Sequence, residues 1–331
     1  MTINLAQIGC GYWGPNLLRN FSSLSNCRVK YLVDSSEERR KFVTQNHPLT
    51  IALESLDRIL EDPEVKGVVI ATPAASHFQL AKRALLSGKH VFVEKPLATK
   101  VVEVDELGQI AAAAGLQVMV GHTFLYSAAV RYVKSLINNG DLGDIRYIHS
   151  QRLNLGRIRS DIDALWNFAP HDISIIQYWL GDPEPLKVTR CGMDYIQNGI
   201  DDVVFLNIRY HNKVMANIHV SWIDPQKTRK IVVVGTKKMV VYDDASDDRI
   251  AVYDKGIDRK AILGANIEND HNLAWQYSYR TGDVLLPQIS SIEPLKTEAA
   301  HFVTCIRDNA APLTGISHAR QVVSILEQAS I

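Results

Sequence analysis

The chain has 331 residues, of which 46% are hydrophobic and 22% are charged, a balance typical of a globular protein long enough for two domains. Its 36 basic and 36 acidic side chains give a formal net charge of zero. This balance excludes electrostatic recruitment by nucleic acid or by an anionic membrane, so neither is an expected partner.

The amino terminus and the cysteines both point to a cytoplasmic protein. The first residues, MTINLAQIG, run directly into an apolar segment without the basic flank or cleavage site of a signal peptide. No segment approaches the ~20 apolar residues that span a bilayer. The cysteines are scattered without C-x-x-C spacing, as expected of reduced thiols rather than a disulfide framework; they are Cys10, Cys27, Cys191 and Cys305.

The first 120 or so residues alternate short apolar runs with amphipathic helices. The runs are INLAQIG, CRVKYLVD, GVVIATP, HVFVEKP and LQVMVGH. Helix ends are marked by Ser35 with Glu38, which have capping-box spacing, and by Gly115, which fits a left-handed helix terminus. This alternation predicts right-handed crossovers and a parallel sheet covered on both faces, in a Rossmann domain over residues 1–121.

After about residue 122 the pattern becomes rich in long β-segments. One more helix and a strand are followed by DDVVFLNIRYHNKVMANIHVSWI, RKIVVVGTKKMVVYDD and RIAVYD, with two helical segments at the end. Local turns at 211–212 and 235–236 predict a large, mostly antiparallel open sheet. We therefore expect an α+β domain over residues 122–331 for substrate binding and oligomerisation. Its terminal helices are candidates to pack back on the first domain.

The segment IGCGYWG supplies Gly9, Gly11 and Gly14 in G-x-G-x-x-G spacing, between a strand and a helix. These glycines allow a tight turn, close approach of a pyrophosphate and close helix–strand packing. Asp34 ends the next strand, where a carboxylate takes ribose hydroxyls and repels the 2′-phosphate of NADP. The pattern predicts NAD binding, although a tight βα turn alone would also need such glycines.

Two further loops follow strands of the predicted sheet. ATPAASH contains Thr72, Pro73 and His77, and EKP contains Glu94 and Lys95. Ligands bind at the carboxyl ends of parallel strands, so these side chains are candidates for the site. A solvated surface lysine is an equally good interpretation of the lysine, and the histidine could equally face water in a first helical turn.

The stretch ALWNFAPHDIS places Trp166, Asn167 and His171 around Pro170. Proline is tolerated in a first helical turn, so we predict a helix that begins near Ala169 with the polar side chains across its entry. Histidine titrates near neutrality and suits removal of a proton from a hydroxyl, and a helix amino end would favour its neutral form. A histidine near a helix start is, on its own, more often structural.

Taken together, the glycine loop, ATP, EKP and the helix histidine resemble the glucose–fructose oxidoreductase/inositol dehydrogenase/MocA family over essentially the whole chain. Further segments are similar to a subgroup that acts on nucleotide-linked sugars; they are GYWGPNLLRNF, GHTFLY, NLGRIRSDIDALWNFAPHD and EPLKTEAAHF. The resemblance implies NAD-dependent oxidation of the 3-hydroxyl of an amino sugar, UDP-N-acetylglucosamine first, for surface polysaccharide or lipid A biosynthesis.

The resemblance also assigns roles to individual residues. The family lysine is Lys95, near the nicotinamide and the reacting hydroxyl, and the family base is His171. The family aspartate falls on Asn167, which hydrogen-bonds but carries no charge, so proton relay through this position is in doubt. The expected cofactor-binding residues are Gly9, Gly11, Tyr12, Trp13, Gly14, Asp34, Thr72, Pro73, His77, Glu94, Lys95 and His122.

Substrate contacts are expected in a polar stretch before the helix. Arg152, Asn154, Arg157 and Arg159 are candidates to hold a diphosphate, since guanidinium groups match phosphate geometry. Trp166, Tyr126 and His171 are candidates to contact the sugar or base. An exposed polar loop is an equally good interpretation for any one of them, and no metal site is expected because the eleven histidines lack ligand spacing.

Several alternatives stay open at this point. The substrate could be UDP-N-acetylglucosaminuronate, a dTDP-sugar, or a free polyol or inositol. A non-catalytic NAD sensor is a further possibility, because Asn167 stands where the family has an aspartate. One face of the large sheet, with residues such as Phe205 or Trp222, is expected to form a homodimer or homotetramer.

Overall fold

Six parallel strands form the first sheet of the computed structural model, which describes residues 2–261 and 275–330. They are β1 (Ile3–Ile8), β2 (Cys27–Val33), β3 (Ile51–Leu53), β4 (Val65–Ile70), β5 (His90–Glu94) and β6 (Val118–Gly121). The order is β3-β2-β1-β4-β5-β6, and every neighbouring pair is parallel. The predicted Rossmann-type sheet is therefore confirmed, and the short edge strand β3 is an addition to it.

Helices cover both faces of this sheet. They are α1 (Gly14–Ser22), α2 (Glu37–Asn46), α3 (Asp57–Glu61), α4 (His77–Leu86), α5 (Val101–Ala114), α8 (Pro294–Asp308) and α9 (Ile316–Gln328). Side chains alternate along β5, so that Val91 and Val93 join one core with residues of α4, α5 and α9. Phe92 points the other way and meets Phe21 of α1 and Phe302 of α8, with ring centroids 5.7 Å away in both cases.

The N-cap of α2 lies one residue later than predicted. Ser36, not Ser35, is the N-cap, and its Oγ accepts a hydrogen bond from the N–H of Arg39 at 3.4 Å. Ser36 has the extended backbone that an N-cap requires. Gly115 ends α5 with φ of 65°, as predicted.

Eight strands form the second sheet. They are β7 (Ile145–Leu155), β8 (Pro185–Met193), β9 (Val203–Tyr210), β10 (Met215–Ser221), β11 (Ile223–Gly235), β12 (Met239–Asp243), β13 (Ile250–Ala261) and β14 (Trp275–Leu285). Their order is β14-β13-β12-β11-β7-β10-β9-β8. The β7–β10 pair is parallel and the other pairs are antiparallel, which confirms the mostly antiparallel sheet.

Two unlike faces are visible in β9, where Val204, Leu206 and Ile208 are buried and the residues between them are exposed. Phe205 is 43% exposed, in keeping with the prediction, and its ring stacks on His219 of β10 at 4.1 Å. The prediction that Trp222 could lie on the open face is wrong. Its ring is fully buried and its indole N–H donates to the carboxylate of Asp202.

Two more α-helices lie between the strands already given, α6 (Ala128–Asn138) and α7 (Ala164–Leu180). The predicted start of α7 near Ala169 is wrong, because the helix begins five residues earlier and contains Pro170 in its interior. Asp163 caps it, since its Oδ1 accepts the N–H of Trp166 at 2.9 Å and its carbonyl accepts the N–H of Asn167 at 3.1 Å.

The chain divides into two compact units. The first comprises Met1–Ser127, Ile173–Pro183 and Ser291–Ile331, and the second comprises Ala128–Asp172 and Glu184–Ser290. The terminal helices α8 and α9 thus belong to the same unit as the parallel sheet.

Candidate active site

The glycine loop after β1 has no room for side chains at two of its three glycines. Gly9 has φ of 94°, and a Cβ there would lie 2.6 Å from the carbonyl oxygen of Ala71. A Cβ on Gly14 would lie 2.5 Å from the carbonyl oxygen of Gly9. Around Gly11, by contrast, a Cβ would meet nothing within 4 Å. The loop is therefore a tight backbone turn with open space beside its middle glycine, as a pyrophosphate requires.

Helix α1 begins directly after this loop. Trp13 is the N-cap and makes no side-chain cap hydrogen bond, and Pro15 lies in the first turn. Tyr12 is 89% exposed and Trp13 is 40% exposed, so the predicted cofactor-binding aromatics are at the surface. A helix start without a side-chain cap favours an anion, so this turn fits the diphosphate of a dinucleotide.

Asp34 lies beside the glycine loop. Its two carboxylate oxygens accept backbone N–H groups from Cys10 at 2.7 Å and from Ser36 at 2.8 Å. These donors fix the carboxylate at the end of β2, where it can take ribose hydroxyls. Burial, together with the charge of Asp34, raises the pKa of the Cys10 thiol to about 11, so this thiol stays protonated at neutral pH.

The loops after β4 and β5 are tied to each other by a histidine. Thr72 follows β4, and its hydroxyl lies 2.7 Å from that of Ser76. His77 is buried rather than facing a ligand or water, with one ring nitrogen 2.8 Å from the carbonyl oxygen of Thr72 and the other 2.7 Å from that of Pro96. The prediction of His77 as a cofactor ligand is corrected, whereas Lys95 directly follows β5 and is half-buried.

Glu94 is a half-buried acid next to this lysine, and its Oε1 atom is shielded from solvent. Its carboxylate packs on Gly121, where a Cβ would lie 3.0 Å from Oε1. Burial raises the pKa of Glu94 to about 7, against the opposing charge of Lys95. The glycine at position 121 therefore gives the Glu94 carboxylate room, and a side chain there would press against it.

Glu298 of α8 is a second buried acid that the sequence analysis did not single out. Its Oε2 accepts the hydroxyl hydrogen of Thr123 at 2.7 Å. Burial, followed by the charge of Glu94, raises the pKa of Glu298 well above its usual value. The sequence feature that could have indicated this buried acid is a glutamate at the buried position of the amphipathic run LKTEAAHFV.

His122, predicted as a cofactor ligand, directly follows β6 and is only 2% exposed. Its ring meets that of His318 edge to face, with centroids 5.3 Å apart. The other side of His318 is fixed by Asp182, whose Oδ1 lies 2.7 Å from Nδ1. Burial, then the charges of His318 and Lys95, lowers the pKa of His122 well below its usual value, so this imidazole is neutral.

Helix α7 carries two of the predicted polar residues on one face. Asn167 and His171 are one helical turn apart and therefore lie on the same face of the helix. Both are half-buried. Because α7 begins at Ala164, His171 lies two turns inside the helix, and the predicted effect of the helix amino end on its charge is not supported.

The prediction of Arg152 as a phosphate ligand is wrong. Its side chain is only 5% exposed, and its guanidinium donates to both oxygens of Asp172 at 2.7 and 3.2 Å. Ser150 donates to the same carboxylate at 2.8 Å. Asp172 lies beside His171 on α7, so this buried pair joins β7 to the helix that presents the candidate base.

The remaining predicted substrate residues lie on or after β7 and at the start of α7. Asn154 is half-buried, and Arg157 is exposed. Arg159 is paired with both oxygens of Asp161, at 2.9 and 2.5 Å, which reduces its positive charge toward a phosphate. Trp166 is half-buried in the first turn of α7.

The prediction that Tyr126 stacks on a sugar or base is wrong. Its ring is 3% exposed and lies 5.5 Å from that of His301. Its hydroxyl is 3.2 Å from that of Thr314. These contacts make Tyr126 part of the core of the first unit and leave no face for a sugar.

Two kinds of feature are absent from residues 2–261 and 275–330. No group of three or more histidine, cysteine, aspartate or glutamate residues there is arranged to hold a metal ion. No helix in these ranges has the length and apolar character needed to cross a membrane.

Comparison with known families agrees with this geometry. Residues 3–122 match the oxidoreductase family with an NAD-binding Rossmann fold, and residues 130–241 match the GFO/IDH/MocA C-terminal domain. The chain belongs to this family and is an NAD-dependent oxidoreductase.

Three individual proteins resemble this chain at 21 to 25% sequence identity. A 2,7-anhydro-N-acetylneuraminate hydratase of Mediterraneibacter gnavus is 25% identical over 256 residues, which is 73% of this chain and 67% of that protein. A solved UDP-N-acetylglucosamine 3-dehydrogenase from Acidithiobacillus ferrooxidans superposes with a TM-score of 0.82 at 21% identity, covering 99% of this chain and 96% of that one. GenD2 from gentamicin A biosynthesis, solved with NAD, has a TM-score of 0.82 at 21% identity and coverages of 99% and 93%.

Proposed function

We propose that the chain is a dehydrogenase that oxidises the 3-hydroxyl of a nucleotide-linked amino sugar, with UDP-N-acetylglucosamine as the expected substrate. The observation that carries the proposal is the position of Lys95. It directly follows β5, at the sheet edge where the glycine loop, Asp34 and Thr72 also lie. A substrate hydroxyl that reacts beside a bound nicotinamide would meet an ammonium there.

Lys95 would stabilise the alkoxide that develops as the carbinol C–H bond breaks, a contribution that is largest in a site shielded from water. NAD, when bound, supplies the acceptor for the hydride. The hydroxyl proton goes to His171, and the product is the 3-keto sugar. Asn167, one turn before His171, can orient the imidazole by hydrogen bonding but adds no charge.

A phosphorylated substrate is supported by the exposed Arg157 after β7, with Asn154 on the same segment. Arg157 matches a diphosphate by charge and geometry. The hydratase and the dehydrogenase that resemble this chain are named for sugar substrates, one of them nucleotide-linked. A free polyol or inositol has no phosphate group for this arginine to bind.

The test is a spectrophotometric assay of purified protein with NAD and a panel of UDP- and dTDP-sugars, inositol and other polyols. We expect reduced cofactor to appear with UDP-N-acetylglucosamine, and free UDP to compete with the sugar. The variant Arg157→Ala should raise KM for the sugar nucleotide about tenfold, because one charged hydrogen bond is lost.

Other outcomes separate the alternatives. Turnover of a polyol without competition by UDP would replace the proposed substrate by a free sugar alcohol. Protein that binds NAD but reduces none of it across the panel would reject the substrate class and favour an NAD sensor.

We also propose that the chain forms a homo-oligomer through the exposed face of the eight-stranded sheet. This face carries Phe205, and exposed aromatic side chains also occur on β14, at Tyr277 and Tyr279. Light scattering after size-exclusion chromatography tests this proposal, with Phe205→Lys expected to weaken the association.

A further inference from the structure

His77 contacts two loops of the candidate site at once. Its Nδ1 lies 2.7 Å from the carbonyl oxygen of Pro96, and its Nε2 lies 2.8 Å from that of Thr72. The side chain is 1% exposed. Pro96 immediately follows Lys95, and Thr72 lies two residues after the neighbouring strand β4, so one ring spans the backbone of both loops.

The imidazole is well suited to hold these loops. It is rigid, and its position is fixed because His77 is the first residue of α4. Carbonyl oxygens only accept hydrogen bonds, so each contact needs a proton on its ring nitrogen. The protonated ring donates to both carbonyls, whereas the neutral ring donates to one of them at a time. Burial and the charge of Lys95 lower the pKa of His77, while the two carbonyl contacts raise it. Lys95 is the charged group that acts on the ring.

We infer that His77 is a positioning residue, which holds the backbone of the Lys95–Pro96 loop against the Thr72 loop and thereby places the Lys95 ammonium. The inference rests on the proposed function for the role of Lys95. His77 itself touches neither substrate nor cofactor in this assignment. It acts through the carbonyl of the residue after Lys95.

Three variants separate its two contacts. The amide nitrogen of an asparagine lies near the position of histidine Nδ1, and that of a glutamine near the position of Nε2. His77→Asn therefore keeps a donor for Pro96, His77→Gln keeps one for Thr72, and His77→Ala keeps neither. The exposed His211→Ala, in the turn after β9, is the matched control.

Hydrogen–deuterium exchange of the free protein gives a readout that does not depend on turnover. In His77→Ala we expect exchange to rise about tenfold in residues 74–77 and in residues 95–98, with other segments unchanged. His77→Asn should raise exchange mainly in the first segment, and His77→Gln mainly in the second. His211→Ala should match the wild type in both.

Turnover should follow the Lys95 loop. We expect kcat to fall about 10- to 100-fold in His77→Ala and His77→Gln, and less in His77→Asn, with the sugar KM little changed because a misplaced catalytic group acts on the chemical step.

Exchange that rises equally throughout the first unit in all three variants would overturn the inference, since it would show a general loss of stability. Unchanged exchange in both loops would also overturn it. If no sugar nucleotide is oxidised by the wild type, the proposed function fails, but the exchange pattern still decides the positioning role. If His77→Ala does not fold, the asparagine and glutamine variants decide it.

Discussion

Lys95 is the side chain on which the proposed chemistry depends most directly. Its ammonium would stabilise charge that develops only in the transition state. We therefore expect Lys95→Ala to lower kcat about 10²- to 10³-fold, while NAD still binds to the glycine loop and Asp34. Steady-state kinetics and quenching of tryptophan fluorescence by NAD measure the two effects separately.

Lys100→Ala is the matched control for this prediction, because Lys100 is exposed and lies five residues later, at the start of α5. The prediction fails if Lys95→Ala keeps at least half of the wild-type kcat. Loss of NAD binding in the same variant would instead place Lys95 in the cofactor site alone.

Asn167 offers a test of the base. In Asn167→Asp a carboxylate lies one helical turn before His171 and stabilises the imidazolium, so the pKa of His171 rises. The base must be neutral to accept a proton. The acid limb of the kcat/KM profile should therefore move to higher pH, by about one unit.

The control is Asn167→Ala, which removes the amide without adding charge and should leave the midpoint of this limb in place. A profile that is the same in Asn167→Asp and wild type would count against His171 as the base, or against a contact between the two side chains.

Single residues were predictable where their role depends on neighbours in the chain. The glycine loop and Asp34 follow from the strand before each of them, and the structure places them as expected. Arg152 and Tyr126 were not predictable in this way. Their hydrogen-bond partners are Asp172, 20 residues from Arg152, and Thr314, 188 residues from Tyr126, and nothing local reveals either pairing.

At the scale of elements, the glycine loop makes a paired prediction. A methyl group on Gly14 would clash with the carbonyl of Gly9, so Gly14→Ala should lower both stability and NAD affinity. Gly11→Ala adds a methyl group to open space. It should leave stability within about 0.5 kcal/mol of the wild type. Its NAD affinity should nevertheless fall at least about tenfold, because the methyl group occupies the diphosphate position.

Urea unfolding and NAD titration of both variants provide the measurements. Equal NAD affinity in Gly11→Ala and wild type would show that the diphosphate does not bind beside Gly11. Unchanged stability in Gly14→Ala would show that the loop can rearrange.

Helix α7 shows why element boundaries were harder to predict than element types. Two signals compete within eight residues, a proline suited to a first turn and an aspartate suited to an N-cap. Asp163 is the cap in the structure, where it also pairs with Arg190 of β8 at 2.8 Å. That second contact comes from another strand, so the sequence near the helix could not rank the two signals.

At the scale of the whole molecule, Glu298 links stability to pH. Its pKa is raised well above 4.5 in the folded state, so unfolding at a pH between 4.5 and the folded pKa releases its proton. Its contribution is complete below pH 4.5 and is lost as pH rises toward the folded pKa, by about 1.4 kcal/mol per unit. Glu298→Gln has no charge to bury and can still accept the hydrogen bond from Thr123.

The variant should therefore become more stable relative to the wild type as pH rises from 5 to about 8. Urea unfolding at several pH values measures the difference, with Glu61→Gln, an exposed glutamate on α3, as the control. A difference that is constant over this range would show that Glu298 is ionised in the folded protein.

The two sheets also differed in how far they could be predicted. Alternation of strands and helices with right-handed crossovers restricts a parallel sheet to few arrangements. The eight-stranded sheet is less constrained. β7 is its first strand in the sequence but lies between β11 and β10, which follow it after 60 or more residues. Local turns predicted the hairpins around it, and could not predict that β7 joins them.

The membership of α8 and α9 in the first unit has a consequence during synthesis on the ribosome. About 160 residues are translated between Ser127 and Ser291, which at 5–20 residues per second takes roughly 8 to 30 seconds. For that time the nascent parallel sheet lacks the helix that supplies Phe302 and the helix that covers α5. A ribosome stalled before residue 291 should therefore display a protease-sensitive amino-terminal half that becomes resistant once the last helix emerges.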